Sequence, residues 1–350
     1  MFKEFEAIAV NRISDKRIHI FMSKILDVER VDVYSIKAVV DGLIYASLRG
    51  IDSHGVRLFP HYVDSVIKGT KNGNPKFKIS KPNPSKIIVD ADGGFGLAAG
   101  HYAISNAMKI SNDVGMCLAV VKNSTHPAAL SSIIVEAVSK GFIVFGFANA
   151  DSLMSTHGGK NAFFGTNPFT FGVPANDCPY LMVDMAMTHF TWNRLKIYRE
   201  LDMELPKNVA VDSDGNETTN PHLAKSLIPT GNHKGFALAA MVEVMTGVLA
   251  GGLISPEIAP MYDSSLNEPR GLSQSYLIID PGQNDRFESI RNGIDHLTKS
   301  LQSSEINNNV GLPGFLEFKI EIERSKIGIP IDSTTLEKFD HLSNKYGIKL

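Results

Sequence analysis

The stretch Leu48 to Gly69, LRGIDSHGVRLFPHYVDSVIKG, gathers the residue types that a site for a small carboxylate needs. Asp52, Ser53 and His54 stand directly before Gly55, so polar side chains are concentrated at a chain break. Upstream, Val39 to Leu48 has the three-to-four spacing of apolar residues that predicts an amphipathic helix. Arg49-Gly50 closes it, Asp52-Ser53 can cap the next turn, and Pro60 interrupts the segment beyond. His54 is therefore expected at a helix end or tight connection, held by backbone and still able to reach a ligand. Arg57 and Tyr62 come closely enough after it that a helical segment would turn all three side chains toward one cavity. They supply a proton carrier, a permanently charged guanidinium fork and a phenol. The same spacing also fits a capped helix start with a solvated Arg57 and a buried Tyr62.

Three further clusters fit this chemistry. Asn123-Ser-Thr-His-Pro-Ala-Ala-Leu130 leaves a strand and enters a helix, where hydroxyls and free backbone N–H groups suit a phosphate or a nicotinamide amide. Ser124 or Thr125 could instead cap the helix, with His126 a satisfied polar residue. Gly165-Thr-Asn-Pro168 is followed by Asp184-Met-Ala-Met-Thr188, in which Asp184 ends the apolar run LMV. A lone carboxylate is costly there unless a partner meets it. His54 is the candidate partner, and capping of the following helix is the alternative. Gly231-Asn-His-Lys-Gly235 opens an apolar helix, a good place to bind an anion or simply a turn with a solvated lysine.

Composition sets the frame for these clusters. The 350 residues suffice for two or more packed modules, and 43% hydrophobic with 21% charged residues is globular composition. A formal charge of −2 without a Lys/Arg cluster argues against a nucleic-acid partner. Cys117 and Cys178 form no CxxC, so neither zinc nor a disulfide framework is expected, and two thiols suit a reducing, cytoplasmic setting. The start MFKEFEAIAV lacks the apolar core of a secretory signal. Phe236 to Ile254 contains Glu243 and several glycines, so it reads as a buried helix and no membrane span is expected.

Along the chain, Ile18–Leu26 and Ser35–Leu48 read as helices, and the Pro-, Gly- and Lys-rich stretch 70–86 reads as a boundary. Strands at 86–90, 116–121 and 142–148 alternate with helices at 101–111 and 128–139, and 169–173 and 180–183 suggest further strands. This predicts an α/β layer from about 86 to about 190. Beyond it lie a helix at Trp192–Glu200, an exposed turn at Asp212–Asn216 and an apolar helix at Gly235–Leu249. A polar helical stretch starts at Gln283 and ends in the loop Asn307-Asn-Asn309, and the tail Ser333–Leu350 is amphipathic. The expected organisation is a helical unit from 1–80 and 250–350 around a central α/β unit, 81–249.

Gly93-Gly94-Phe95-Gly96-Leu97-Ala98-Ala99-Gly100 between strand and helix resembles a dinucleotide fingerprint but departs from it. The last glycine comes one residue late, and Asp90 and Asp92 put negative charge where a pyrophosphate would sit. No acidic residue ends the second strand. A close-packed turn beneath a different site is expected, not a Rossmann domain.

Taken together, RGIDSHGV, the NSxH segment at 123–126, GTNP at 165–168, DMAMT at 184–188, HKG at 233–235 and LPG at 312–314 with a Glu323-Arg324…Gly328-Ile-Pro330 ending resemble one family. It is the type-2 malate/L-lactate dehydrogenase family, also called the L-sulfolactate dehydrogenase-like group. The resemblance spans nearly the whole chain. It implies a mixed α/β, non-Rossmann fold and an oxidoreductase using NAD or NADP on a small 2-hydroxy/2-oxo acid, in a homodimer. No metal is required, because an imidazolium plus an arginine can polarise a 2-oxo acid by themselves. By the same resemblance His54 is the acid/base, with Ser53 and Asp184 orienting or charge-stabilising it. Arg57 would clamp the substrate carboxylate beside Tyr62. The cofactor would lie along His126, Pro127, Ala128, Ala129 and Leu130, along Asp184, Met185 and Ala186, and at Lys234, Gly235, Pro313 and Gly314. Some relatives give the acid/base role to the histidine matching His126.

The departures from the family pattern bear on substrate and cofactor preference. Many members carry an arginine four residues after the histidine, where this chain has Leu58. A run like HFGAAGYY is here HPAALSSI, nearer the imine-reductase side of the family. Trp192-Asn193-Arg194 stands in place of RGK, and Phe315 stands where an acid often comes after LPG. Two rival functions arise: reduction of a cyclic imino acid like Δ1-piperideine-2-carboxylate, and a binding or assembly protein that kept the fold without turnover.

Overall fold

In the computed structural model, which describes residues 9–176, 178, 180–262, 267–282, 285–304 and 310–350, the chain starts as strand β1 (Ala9–Ile13) and helix α1 (Asp15–Val28). The first eight residues and the Asn307–Asn309 loop lie outside this range. Helix α1 is capped by Ser14, whose Oγ accepts from Arg17 N at 3.4 Å. Helix α2 (Val33–Leu48) is capped by Asp32, accepting from Ser35 N at 3.1 Å. Both helices occur where apolar spacing places them. Two single 3-10 turns, Asp52–His54 and Val56–Leu58, lead into α3 (Phe59–Ile67). Pro60, expected to interrupt, lies in the first turn of α3, where a missing N–H removes no helical hydrogen bond.

Strands β2 (Lys78–Asn83) and β3 (Lys86–Asp90) precede α4 (Gly96–Val114), β4 (Met116–Ser124), α5 (Leu130–Ser139) and β5 (Ile143–Ala148). Short strands β6 (Met154–Ser155) and β7 (Ala162–Phe164) come next, then β8 (Phe169–Pro174), β9 (Tyr180–Met185) and α6 (Trp192–Glu200). After them come β10 (Ala210–Val211), β11 (Ser226–Leu227) and α7 (His233–Glu243), which continues as a wider π turn, Val244–Val248. The last elements are β12 (Leu272–Ile279), α8 (Asp285–Ser303), α9 (Phe315–Ile327), β13 (Ile329–Asp332) and α10 (Ser333–Tyr346).

The main sheet runs β2-β3-β4-β12-β5-β8-β9, and only β3 and β4 are parallel neighbours. Its central strand comes from the segment expected to be helical, 250–350: Tyr276 of β12 stands opposite Ala119 of β4 and Gly146 of β5. The strand was hidden by its polar start, Leu-Ser-Gln-Ser. The Gln274 amide is satisfied inside, with Nε2 donating to Ser124 Oγ at 2.9 Å and Oε1 accepting from Tyr276 Oη at 2.5 Å. A second sheet runs β10-β11-β6-β7, and β1 pairs antiparallel with β13. The two chain ends also meet in the core. Phe21 (α1), Phe59 (α3) and Phe339 (α10) are fully buried, with ring centroids 5.6–6.4 Å apart. Burying each such side chain contributes about 1.5–3 kcal/mol.

The glycine-rich loop before α4 is a packing device. A Cβ on Gly96 would lie 2.2 Å from Thr125 O and 2.8 Å from His126 C. Thr125 Oγ1 also donates to Gly94 O at 3.1 Å. The loop thus supports the His126 segment from beneath, and the sheet order is not that of a Rossmann domain. Among the described residues, no helix is long and apolar enough to cross a membrane.

Candidate active site

His54 ends the first 3-10 turn, and the C-terminal quarter of the chain fixes that turn. Arg324 of α9, 1% exposed, holds Asp52 through Nη1–Oδ1 at 2.7 Å and Nη2–Oδ2 at 3.0 Å. This is a bidentate pair that fixes direction as well as position. On the other side, Val56 N donates to Ser47 Oγ at 3.0 Å. A Cβ at Gly55 would fall 2.0 Å from that oxygen, so the turn can lie on α2 only with glycine there. Ser53 Oγ is 2.9 Å from His54 Nδ1, which leaves Nε2 for a ligand. Asn193 of α6 donates to Ser53 O at 3.2 Å and accepts from Tyr262 Oη at 2.7 Å.

The His126 ring lies with its centroid 5.6 Å from that of His54. Tyr62 Oη is 3.0 Å from His126 Nδ1 and donates at 3.2 Å to the His126 carbonyl. One phenol proton serves one of these acceptors. When it goes to the carbonyl, Nδ1–H can donate to Oη instead. Burial pushes the His54 imidazolium down to about 4. It pushes His126 well below the usual histidine range too, helped by repulsion from His54 whenever that ring is protonated and from Lys71 and Arg270. Both rings are therefore neutral at pH 7 in the free site.

Asp184, the expected partner of His54, has a different one. Its Oδ2 accepts from Ser131 N at 2.8 Å at the start of α5. The N-cap of α5 is Ala129, which has no capping side chain, so a carboxylate from β9 does that work. Neither Ser124 nor Thr125 caps the helix. Burial raises Asp184 to about 6 against the lowering pull of Ser131. Ala128 beside it has φ 54°, left-handed for a residue with a Cβ, at the place where the family run carries glycine. Ala128→Gly is expected to raise stability by about 0.5–1 kcal/mol, the relief of left-handed strain less the added freedom of the unfolded chain. Urea denaturation would measure it.

Two cavities meet at the imidazole pair. The first, about 320 Å³, is lined by Ser53, His54, His126, Pro127, Ala128, Ala129, Ser131, Asp184, Met185, Ala186 and Gly314. The second, about 490 Å³, again touches both histidines and adds Asp151, Trp192, Asn193, Lys225, Tyr262 and Arg270. Thr166 of the GTNP motif lines both. The motif is held by Glu243, which accepts from Asn167 Nδ2 at 2.8 Å and from Ser255 N at 2.9 Å.

Several expected residues stand outside these cavities. Arg57 is turned away into another cavity, where Glu200 and Asp332 both pair with it and Nη1 also donates to Thr335 Oγ1 at 3.1 Å. With two carboxylates on one guanidinium, its charge is already spent within the protein. Burial of Asp332 would raise its carboxyl, but Arg57 and Thr335 outweigh that and hold it below the ordinary range. Tyr62 and Leu130 are buried behind the site. Pro313 pins its loop to β9, accepting from Met182 N at 2.9 Å. Gly235 packs on the Thr230 and Met187 backbone, and Lys234 is exposed at the first turn of α7, near Thr230 of the first cavity. Sequence reading missed Ser131, Asp151, Lys225 and Arg270, which are single polar residues without a spacing signal.

The first cavity fits a nicotinamide. Ser131 Oγ is buried there with no hydrogen-bond partner among the described residues, next to the Asp184 carboxylate. A donor and an acceptor side by side match a carboxamide. Among the described residues no cluster of ligating side chains could hold a metal ion.

The sheet order is outside the Rossmann plan, and a histidine pair stands where two cavities join. The chain belongs to the malate/L-lactate dehydrogenase family, whose model matches residues 13–340. It is 28% identical over 354 residues to malate dehydrogenase of Pyrococcus horikoshii, covering 97% of this chain and 96% of that one. Ureidoglycolate dehydrogenase (NAD(+)) of Escherichia coli K12 is 31% identical over 277 residues, 79% of this chain and 78% of its own. The crystal structure of Δ1-piperideine-2-carboxylate reductase from Pseudomonas syringae pvar. tomato superposes with a TM-score of 0.83 at 25% identity, covering 95% of this chain and 100% of that one.

Proposed function

We propose that this chain interconverts a small 2-oxo acid and its 2-hydroxy acid with NAD or NADP, His54 serving as acid and base. The carrying observation is the His54–His126 pair at the junction of the two cavities. Ser131, Asp184 and the Ala128–Ala129 backbone would hold the nicotinamide end in the first cavity, and the substrate would occupy the second. When bound, NAD(P) supplies the hydride in reduction and takes it up in oxidation. His54 passes a proton from Nε2 to the substrate oxygen as the carbonyl π bond is replaced by C–H and O–H bonds, and in reverse removes it. Ser53, on Nδ1, keeps the ring in the tautomer this requires. Tyr62 anchors His126, which shapes the wall opposite.

Two further parts of the reading have their own support. Leu238, Met241, Val244 and Val248 form an exposed apolar row along α7 and its π turn, which supports a homodimer. Two cysteines without a disulfide suit a cytoplasmic setting.

Reduction of a cyclic imino acid is the second reading, favoured by the HPAALSSI run and by the fold shared with the piperideine-carboxylate reductase. Assay of pyruvate, oxaloacetate and a cyclic imine with NADH and NADPH separates the two. Turnover of the oxo acids is expected, and turnover of the imine alone would remove the hydroxy-acid reading. Failure of both nucleotides to bind by fluorescence or calorimetry would leave only a non-catalytic role.

A further inference from the structure

A 2-oxo acid needs a cation for its carboxylate, and the candidate expected from sequence is occupied elsewhere. Arg57 is neutralised by Glu200 and Asp332. Leu58, at the position where many relatives carry arginine, is an apolar residue 4% exposed. The charge must come from another part of the chain.

Arg270 lies just before β12 and lines the second cavity together with His54 and His126. It is 7% exposed. Its Nε donates to Ala259 O at 2.6 Å and its Nη2 to Asp151 Oδ1, which fixes one edge of the guanidinium plane. Nη1 has no partner among the described residues, so the end of the fork remains for a ligand. Asp151 offsets one charge. A second buried basic group lies behind His126: Lys71, 4% exposed, has its Nζ 4.7 Å from the centroid of the Tyr62 ring. No carboxylate pairs with Lys71 among the described residues. Burial, and then Arg270, pull its ammonium down to about 7, so an anion in the cavity would hold its proton more firmly.

We propose that Arg270, oriented by Asp151 and backed by Lys71, is the residue that binds the substrate carboxylate in this chain, taking the part expected of Arg57. This rests on the 2-oxo acid reading and deepens it. A guanidinium fixed along one edge presents the planar fork that suits a carboxylate, and it does so beside the imidazole that must reach the adjacent carbonyl oxygen. It also predicts that acids are chosen over their neutral amides.

The test compares wild type with Arg270→Met, Arg270→Lys and the double variant Asp151→Asn/Arg270→Met, which removes both buried charges should the single variant fail to fold. KM and kcat are measured for pyruvate and pyruvamide, and oxamate binding to the enzyme–NADH complex is followed by nucleotide fluorescence. Arg270→Met and the double variant are expected to raise the pyruvate KM about 10²-fold and to lose the preference for pyruvate over pyruvamide. NADH affinity should stay within threefold, and Arg270→Lys should fall between. Added guanidinium should partly restore the Met variant. A pyruvate KM and oxamate affinity within threefold of wild type in a variant that still binds NADH would overturn the assignment alone. A wild type that neither reduces a 2-oxo acid nor binds oxamate would overturn it together with the reading beneath it.

Discussion

His54→Ala is expected to lower turnover by about 10²–10⁴-fold while leaving NADH binding and the folded state intact. The ring sits at the end of a turn whose position is fixed by Asp52, Ser47 and Asn193 through backbone and carboxylate contacts, none of which uses the imidazole. Its loss should therefore remove a proton carrier without loosening the turn. The pH dependence comes from the same burial. With His54 titrating near 4, the neutral base dominates above pH 5. Oxidation of the hydroxy acid should be level in kcat/KM from about pH 5 to 8 and fall below about pH 4. Reduction, which needs the imidazolium, should lose about tenfold in kcat/KM for each pH unit above that value. In His54→Ala both profiles should flatten. Turnover that survives in this variant but collapses in His126→Ala would move the acid to the other ring.

The second large effect concerns stability. Arg324→Met should destabilise the protein by about 3–5 kcal/mol, because it leaves the Asp52 carboxylate, 7% exposed, without its guanidinium. Paired charges out of water cost little only while both are present. The double variant Asp52→Asn/Arg324→Met should accordingly recover much of the loss in a urea titration. Turnover is expected to fall in the single variant under conditions where it is still folded, since this pair ties the turn that aims His54 to α9.

Much of this was legible in the chain itself, and the gaps have physical reasons. Helical spacing located α1, α2 and α6, and apolar runs located β3, β4, β5, β8 and β9, since each buries one kind of surface with a clear period. Departures from the dinucleotide pattern correctly marked the Gly93–Gly100 loop as packing, because misplaced glycines and acidic neighbours are local facts. Strand β12 is hidden because Ser273, Gln274 and Ser275 are polar residues buried in the sheet, and the Ser124 hydroxyl that meets Gln274 comes from a distant segment. The direction of Arg57 is hidden for a related reason: spacing can bring a side chain near His54, but Glu200 and Asp332, far along the sequence, decide where it points. Asp184 was recognised as a buried carboxylate needing a partner, yet the uncapped start of α5 competes for it and wins. Arg270 and Asp151 gave no signal, since a salt bridge between loops has no period to read.

The most direct single measurement is a crystal structure of the chain with NADH and oxamate. The nicotinamide is expected in the first cavity against Ser131 and Asp184, oxamate in the second, and His54 Nε2 within hydrogen-bond reach of the oxamate oxygen that stands for the substrate carbonyl. Nucleotide density at Gly94–Gly100, or oxamate lying beside His126 and away from His54, would contradict this arrangement.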